Sequence, residues 1–536
     1  MQKTLFDGAH ARELMRRLPL LDDVPASSAS QRRGIERESL RVDLHGRLAL
    51  TPHPRALGAA LTHPELTTDY SEALLEFITP AFARLPEVFE RLRELHRFVV
   101  ENLDKELLWP LSMPARLPAD QEIPIADYGS SNLGRFKTVY RNGLSLRYGR
   151  TMQCIAGLHF NYSLDDGVWR ALQSEAGADS DASSFEAFRS AGYFALMRNF
   201  EHYGWLLLYL FGASPALHPS FLQGRQPRGI ELVKRGADTL IAPQATSLRM
   251  SDLGYQNRSV QGHQRPQYDA LPAYLDALAE AVGTPYEPYQ RLGVRDAAGN
   301  WLQLNANLLQ IENELYATIR PKRAMQGDER PFTALARRGV QYVEARTLDL
   351  DPFDAVGISE LTGRFMEAFM TFCALLPAPA VDTRAEDERN FVRVAKIGRR
   401  PGLMLEREQA ELGLQDWGQA ILDQVAKVAA QLDAVHGDTR YGEAVERQRA
   451  KLKDVSKTPS AQMLAAMEHG QMSFLEFGIS QARKFAGTLK DEGSSIETHR
   501  RLSELAQRSR TAQGELEADD TLDFERYVAA RSALTR

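Results

Sequence analysis

The residues of this chain best suited to chemistry stand at alternate positions in short β-prone stretches. Residues two apart in an extended strand point to the same face. Gly34-Ile35-Glu36-Arg37-Glu38 therefore puts the carboxylates of Glu36 and Glu38 side by side. Leu74-Leu75-Glu76-Phe77-Ile78 carries one acid, Glu76, among apolar neighbours, with Asp69 shortly before it. If 153–163 is one strand, Gln153, Ile155, Gly157, His159 and Asn161 share a face, and Glu344 shares one with Arg346. A buried carboxylate without a partner is costly, so a cluster of carboxylates needs cations. Hard oxygen ligands of this kind suit Mg²⁺ or Mn²⁺, and such ions could hold a triphosphate. Plainer readings stand beside this one. Glu36 and Glu38 could pair with Arg37 or Arg41 on an exposed hairpin. His159 alone fits a hydrogen-bonded core histidine, and imidazole is an uncommon Mg²⁺ ligand. Periodicity does not by itself bring four strands together.

These stretches must be positioned by elements far apart in sequence. Segments 33–42, 74–79, 153–163, 302–319 and 340–350 read as strands. Between them, 85–103 reads as an amphipathic helix, with Pro86 at its start and Phe89, Leu92, Leu95, Val99 and Leu103 on one stripe. Residues 205–217 read as a buried helix or core segment, too short to span a bilayer. Segments 174–184 and 377–389 read as surface loops, the second carrying a charge run on a solvated face. From about residue 401 the chain looks wholly helical, with Ile421, Val425, Val428, Leu432 and Val435 forming a stripe. The expected class is α+β, a sheet assembled from distant segments and followed by a helical C-terminal part.

Composition removes several classes of function. The chain has 536 residues, 43% of them hydrophobic and 25% charged, ordinary for a globular protein. With 65 Lys+Arg against 71 Asp+Glu the net charge is −6, which gives no electrostatic footprint for nucleic acid or an anionic membrane. The first 23 residues have charges and no apolar run, so no targeting signal is expected. Two cysteines make no disulfide framework and fit a reducing cytoplasm. Neither is expected to act as a nucleophile. Cys154 lies between Gln153 and Ile155 and would point away from their face, and Cys373 stands in an apolar stretch. The P-loop, G-x-G-x-x-G, H-E-x-x-H, C-x-x-C and G-x-S-x-G motifs are all missing. A nucleotide would have to be held some other way.

The same acidic stretches carry a resemblance. Gly34-Ile35-Glu36-Arg37-Glu38-Ser39-Leu40-Arg41-Val42, Glu72-Ala73-Leu74-Leu75-Glu76-Phe77-Ile78-Thr79-Pro80 and Trp109-Pro110-Leu111-Ser112-Met113-Pro114 are three of its strings. Gly134-Arg135-Phe136-Lys137-Thr138, Ala245-Thr246-Ser247-Leu248-Arg249, Leu309-Gln310-Ile311-Glu312-Asn313-Glu314-Leu315-Tyr316 and Arg320-Pro321-Lys322-Arg323 continue it. Over roughly residues 30 to 405 the chain resembles glutamate–cysteine ligase (γ-glutamylcysteine synthetase) of the proteobacterial type.

The resemblance implies a glutamine synthetase-like carboxylate–amine ligase fold, a curved, mostly antiparallel sheet forming a funnel with helices outside it. It implies joining of the γ-carboxylate of L-glutamate to the amino group of L-cysteine through a γ-glutamyl phosphate, with ATP as co-substrate and Mg²⁺, or Mn²⁺, as cofactor. By matching position, Glu36, Glu38, Asp69, Glu76, His159 and Glu344 would surround the metal, and Arg346 with Glu344 would serve phosphoryl transfer. Arg249, Gln153, Ile155 and Asn161 would help hold the amino-acid substrates. Tyr70, Tyr140, Leu144, Tyr255 and Tyr316 would line the cysteine pocket, Tyr70 standing where the family leads one to expect Phe. A catalytic domain over 1–405 and a helical part over 406–536 packed on it are expected, in a cytoplasmic enzyme with no nucleic-acid or membrane partner. Oligomeric state stays open, a monomer being admitted. A ligase for a different amine, or a non-enzymatic nucleotide or metal binder, would keep the same fold. Loss of an acid or of Arg346 would mark the binder, and both are present.

Overall fold

The structure is a computed structural model and describes residues 5–24, 28–178, 181–225, 227, 229–254, 268–379, 383–408, 410–532 and 534. Its centre is a seven-stranded antiparallel sheet in the order β2-β3-β1-β5-β10-β9, with β4 also paired to β1. These strands are β1 (Arg33–Asp43), β2 (Leu66–Thr68), β3 (Leu74–Ile78), β4 (Glu106–Leu108), β5 (Leu158–Tyr162), β9 (Ile319–Lys322) and β10 (Tyr342–Leu348). Three short strands, β6 (Ala216–Leu217), β7 (Val233–Lys234) and β8 (Leu240–Ile241), form a separate sheet, and β11 (Met404–Arg407) and β12 (Ala410–Gly413) a hairpin. This α+β architecture is the class the sequence leads one to expect.

The sheet has two chemically different faces because its strands alternate. One face carries Glu36, Glu38, Glu76, His159 and Glu344. The other carries Ile35, Leu75, Phe77, Leu158, Phe160, Val343 and Ala345, all buried. That apolar face is covered by helices Leu85–Glu101 and Glu360–Leu375. The first follows the expected stripe, with Leu92, Leu95 and Val99 fully buried, and the Phe77 ring stacks 4.0 Å from His96. In the second, Glu367 is buried and takes Arg33 of β1 as an ion pair, while the Tyr441 hydroxyl donates to the same carboxylate at 2.9 Å. A buried carboxylate is thus matched by a cation and a hydroxyl, as burial demands. The arrangement ties the sheet to the C-terminal helix Arg440–Lys453.

The chain is not wholly helical from about residue 401 as expected, since the β11–β12 hairpin comes first; after it the chain is helical, with Ile421, Val425, Val428 and Leu432 of the expected stripe buried and Val435 half-buried. The four buried residues belong to one hydrophobic cluster that also holds Ile35, Phe160 and Phe369. Farther along, helix Ile496–Asp519 returns to the N-terminal region, where Ala59 N–H donates to Ser509 Oγ at 2.9 Å. Among the described residues no helix is long and apolar enough to cross a membrane.

Four local expectations are corrected. Residues 151–154 form a 3₁₀ turn rather than the start of a strand, so Gln153 and Ile155 do not extend the β5 face. The cause is Asp120, whose carboxylate accepts Arg150 N–H at 3.0 Å, Thr151 N–H at 2.8 Å and the Thr151 hydroxyl at 2.7 Å, closing a turn that a ladder cannot continue. Residues 302–318 are loop with a 3₁₀ turn at Glu312–Glu314. Arg147 substitutes for a strand partner there, donating to the Gln303 side chain at 2.9 Å and to the Asn305 carbonyl at 2.8 Å. The charge run before Arg389 begins helix Arg384–Ile397, and its Asp387 is buried against His202 at 2.8 Å instead of solvated. Segment 174–184 is narrower as a loop than expected: helix Asp166–Glu175 runs into it and Asp181 caps helix Ala182–Tyr203, leaving 176–178 as an exposed turn among the described residues.

Candidate active site

The acids meet because the strand register brings them abreast. Glu36 lies opposite His159, Glu38 opposite Glu76, and Glu344 opposite Asn161. His159 Nδ1 is 3.1 Å from Glu36 Oε2 and 3.5 Å from Glu344 Oε1, and its Nε2 is 3.7 Å from Glu38 Oε1. Glu38 also accepts the Gly157 N–H at 2.6 Å, and Glu36 accepts the Asn161 amide at 2.9 Å. The pairing of β10 with β5 slips between Ala345 and Leu348, one extra residue on β10. Such a bulge re-aims a side chain. It falls at Arg346, whose Nη1 reaches Glu344 Oε1 at 3.0 Å and His159 Nδ1 at 3.3 Å.

Charge in this cluster is unevenly balanced. Burial and the neighbouring Glu36, Asp69 and Glu38 push the Glu76 carboxyl well above its ordinary range. Burial also raises Glu38, with Asp69 adding to it and His159 opposing. Glu344 is the opposite case: burial works against ionisation, yet Lys322, Arg346 and His159 outweigh it and hold its carboxyl well below the usual range. The Lys322 ammonium is 3.1 Å from Glu344 Oε2. The β10 side of the cluster is therefore neutralised by direct ion pairs with Lys322 and Arg346, whereas among the described residues Glu36, Glu38 and Glu76 make no ion pair with an Arg or Lys and feel Arg346 only at longer range.

That imbalance fits a divalent cation. One ligand atom each from Glu36, Glu76 and His159 fall within 4.8 Å of one another. Two carboxylates and an imbalance of negative charge suit Mg²⁺ or Mn²⁺, the imidazole favouring Mn²⁺ or a neighbouring role.

The cluster floors a cavity of about 380 Å³. Of the residues singled out in the sequence, Glu36, Glu38, Asp69, Tyr70, Glu76, Tyr140, Leu144, Gln153, His159, Arg249, Tyr316, Glu344 and Arg346 line it. Ile155 is fully buried away from the lining, and Asn161 stands behind Glu36 as its hydrogen-bond donor. Tyr255 lies outside the described residues. Arg249 is buried and anchored by Asp349, which accepts its Nε at 2.7 Å. It passes so close to Gly157 that a Cβ there would sit 2.8 Å from Arg249 Nη1.

Of a second wall, sequence reasoning named Tyr140 and Leu144 and missed Lys137, Arg141 and Tyr148. Helix Asn132–Tyr148, capped by Ser131 Oγ on Gly134 N–H at 3.1 Å, turns Lys137, Tyr140, Arg141, Leu144 and Tyr148 toward the cavity. Their spacing of three, four and seven is one helix face, so a helical-period search through 132–148 finds them. Arg320 and Lys322, two apart on β9, add cations to the opposite rim and follow the strand rule already used for Glu36 and Glu38. Glu314 and Asn313 come from the loop that reads as a strand.

Both thiols stand apart from the cavity. Cys154 and Cys373 are fully buried, and burial pushes both thiols up, away from the reactive thiolate. The position of Cys154 differs from the one expected. It is enclosed under a 3₁₀ turn, with Sγ 3.6 Å from the Arg150 carbonyl, instead of on the far face of a strand.

Comparison with known proteins places this geometry. A sequence model of the glutamate-cysteine ligase family matches residues 22–394. The chain is 49% identical over 524 residues to glutamate–cysteine ligase of Janthinobacterium sp. (strain Marseille), covering 97% of this chain and 98% of that protein. It is 50% identical over 502 residues to the Pseudomonas putida KT2440 enzyme of the same name, covering 93% and 94%. Its fold matches the crystal structure of glutamate–cysteine ligase from Francisella tularensis in complex with AMP, with a TM-score of 0.86 at 35% identity over 94% of this chain and 97% of that one.

Proposed function

The chain belongs to the glutamate–cysteine ligase family, and from that premise we propose how its acidic sheet face carries out the family's reaction. That reaction is the ATP-dependent joining of L-glutamate to L-cysteine as γ-glutamylcysteine, the first step of glutathione synthesis. The observation that carries the residue assignment is convergence: β1, β3, β5 and β10 deliver Glu36, Glu38, Glu76, His159, Glu344 and Arg346 to one cavity.

A carboxylate is a poor acylating agent, so the γ-carboxylate of glutamate is first phosphorylated to a γ-glutamyl phosphate. A divalent cation held by Glu36, Glu76 and His159, with Glu38, Asp69 and Glu344 around it, would supply charge neutralisation for the phosphate oxygens. Arg346, steadied by Glu344 at 3.0 Å, is positioned to stabilise the charge that spreads over the transferring group. Lys322 and Arg320 extend that positive rim. Arg249, fixed by Asp349, presents its remaining guanidinium N–H groups to a substrate carboxylate, and Gln153 lies beside it in the cavity. Asn161 orients Glu36 through its 2.9 Å bond.

The cysteine amine then attacks the acyl phosphate and displaces phosphate. Tyr70, Tyr140, Leu144 and Tyr316 make a compact, largely apolar pocket for the thiol side chain, and Tyr255 belongs to the same reading. Substrates filling the cavity would limit water there, which would otherwise hydrolyse the acyl phosphate. Residues 1–405 act as the catalytic part and 406–536 as its helical support, and a monomer suffices for this reading. Two buried, unpaired thiols suit a reducing cytoplasm.

The test is ADP release by purified protein with ATP, Mg²⁺ and glutamate, scanning amines with cysteine first. Release that depends on cysteine and matches γ-glutamylcysteine formed is the expected result. Turnover with other amines and none with cysteine contradicts the pocket assignment.

A further inference from the structure

A second cavity, of about 330 Å³, lies behind the catalytic sheet, between Leu158 of β5, Leu348 of β10 and helix Arg440–Lys453. Its walls carry three cations, Lys451, Arg447 and Lys457, against two carboxylates, Asp349 and Asp351. Asp349 is already engaged. It accepts Arg249 Nε at 2.7 Å, the Ser214 hydroxyl at 2.7 Å, the Ser247 hydroxyl at 3.0 Å and the Ala213 N–H at 2.8 Å. Lys457 lies 3.9 Å from Asp454, and Asp351 faces Lys451 and Arg447, which leaves an excess of one cation.

Two buried side chains have capacity to spare. Lys451 is only 9% exposed. Its ammonium donates to the Leu210 carbonyl at 2.7 Å and lies 4.6 Å from the centroid of the Phe211 ring. An ammonium has three donors, and one is used among the described residues. Burial lowers its pKa to about 7, with Asp351 opposing the shift and Arg447 adding to it. Gln448 is 1% exposed. Its Nε2 donates to the Ala444 carbonyl at 3.0 Å, while Oε1 meets no hydrogen-bond partner among the described residues. The first turn of helix Glu360–Leu375 also opens here, through Ser359 and Thr362, adding the positive end of its dipole.

We propose that this cavity is a second ligand site, separate from the ligation site, and that it takes a small organic phosphate monoester. Phosphate oxygens satisfy Lys451, Arg447 and the helix terminus together. A hydroxyl of the ligand donates to Gln448 Oε1, which a fully deprotonated anion leaves unmet. Leu158, Leu348 and Phe211 offer apolar wall to a carbon body. The volume is at the small end of ligand pockets, roughly 300–1,000 Å³. Occupancy reaches the ligation site by a short route, since Asp349 lines this cavity and fixes Arg249 on the other side of the sheet.

The test is calorimetric titration of the full chain with ribose 5-phosphate and, separately, with inorganic phosphate. Wild type is expected to give a saturable isotherm with ribose 5-phosphate, weakened at least ~10-fold in Arg447→Ala and in Lys451→Met and changed less than ~2-fold by Arg346→Lys. If Lys451→Met does not fold, the double variant Arg447→Ala/Lys457→Ala, altered only at exposed side chains, takes its place. Absence of saturable binding to wild type overturns the proposal. So does binding lost in Arg346→Lys but kept in Arg447→Ala, which puts the phosphate in the ligation site. Inorganic phosphate binding as tightly as ribose 5-phosphate overturns the monoester in favour of free phosphate.

Discussion

Arg249 donates through Nη2 to the backbone carbonyl of Arg346 at 3.2 Å, so the arginine assigned to the amino-acid substrate is bonded to the bulge that aims the arginine assigned to phosphoryl transfer. The same Nη2 donates to the Leu348 carbonyl at 2.7 Å, spanning the bulge. On that assignment, substrate placement and phosphoryl placement are mechanically joined. Gly157 sets the clearance for this contact, since a Cβ there would meet Arg249 Nη1 at 2.8 Å and Glu38 Oε2 at 3.5 Å. Gly157→Ala should raise the KM for glutamate roughly tenfold, equivalent to about 1.4 kcal/mol, with a smaller change in the KM for ATP. Steady-state kinetics with each substrate varied in turn check this. Equal rises for all substrates point instead to general distortion.

The acids on the β1 and β3 side make no direct ion pair with an Arg or Lys among the described residues, and this predicts a metal phenotype. Glu36→Gln and Glu76→Gln keep side-chain size and remove a charge. Each should raise the Mg²⁺ concentration for half-maximal turnover, with much of the rate recovered at high Mg²⁺. Titrating Mg²⁺ against turnover and measuring Mn²⁺ binding by its paramagnetic signal give two independent readouts. An unchanged metal requirement removes these residues from the ligand set.

Stability should fall on mild acidification, and His63 is one named cause. Its Nδ1 accepts the Glu65 and Leu66 N–H groups at 3.1 and 2.9 Å, which only the neutral ring can do with that nitrogen. Burial lowers its pKa from 6.5 to about 4. A folded-state value below the unfolded one means the unfolded chain binds the extra proton. The contribution is complete above pH 6.5 and is lost as pH falls from there toward 4. The loss reaches about 2 kcal/mol at pH 5. Chemical denaturation at pH 7 and 5 should show it, and His63→Asn, which cannot titrate, should show a shallower drop. Parallel losses in both proteins assign the acid sensitivity elsewhere, His53 being the next candidate because burial likewise lowers it to about 4.

Both thiols are buried and neither lines the cavity, so neither is expected to take part in the chemistry. The double variant Cys154→Ala/Cys373→Ala should retain kcat within ~2-fold and lose about 1–3 kcal/mol of stability from the two small buried voids. Loss of turnover in a folded double variant contradicts this.

Much of the site was legible because a strand of period two needs no tertiary information to place Glu36 beside Glu38, or Glu344 near Arg346. What the period cannot give is register. That His159 stands opposite Glu36, and that a bulge at Arg346 turns its side chain to meet them, depends on pairing between segments more than a hundred residues apart. Gln153 was assigned to the right cavity and the wrong element, because Asp120 closes a turn that no local pattern announces. The Lys137–Tyr148 face was available at helical period, but a sequence searched for paired acids does not draw attention to it. The stretch 302–318 looks strand-like by composition, while Arg147 and several side-chain amides satisfy its backbone instead. The likeness to glutamate–cysteine ligases supplied the roles that spacing alone left open between a metal cluster and an exposed hairpin.

The most direct test of the central assignment is turnover of Arg346→Lys. Lysine keeps the charge and loses the planar fork that spans Glu344, His159 and a phosphoryl group. The account predicts a fall in cysteine-dependent ADP release approaching ~10³-fold, with ATP affinity changed only several-fold. An exposed Arg346–Glu344 pair would be worth about 0–1 kcal/mol, and nearly normal turnover in Arg346→Lys would contradict the assignment of this sheet face to phosphoryl transfer.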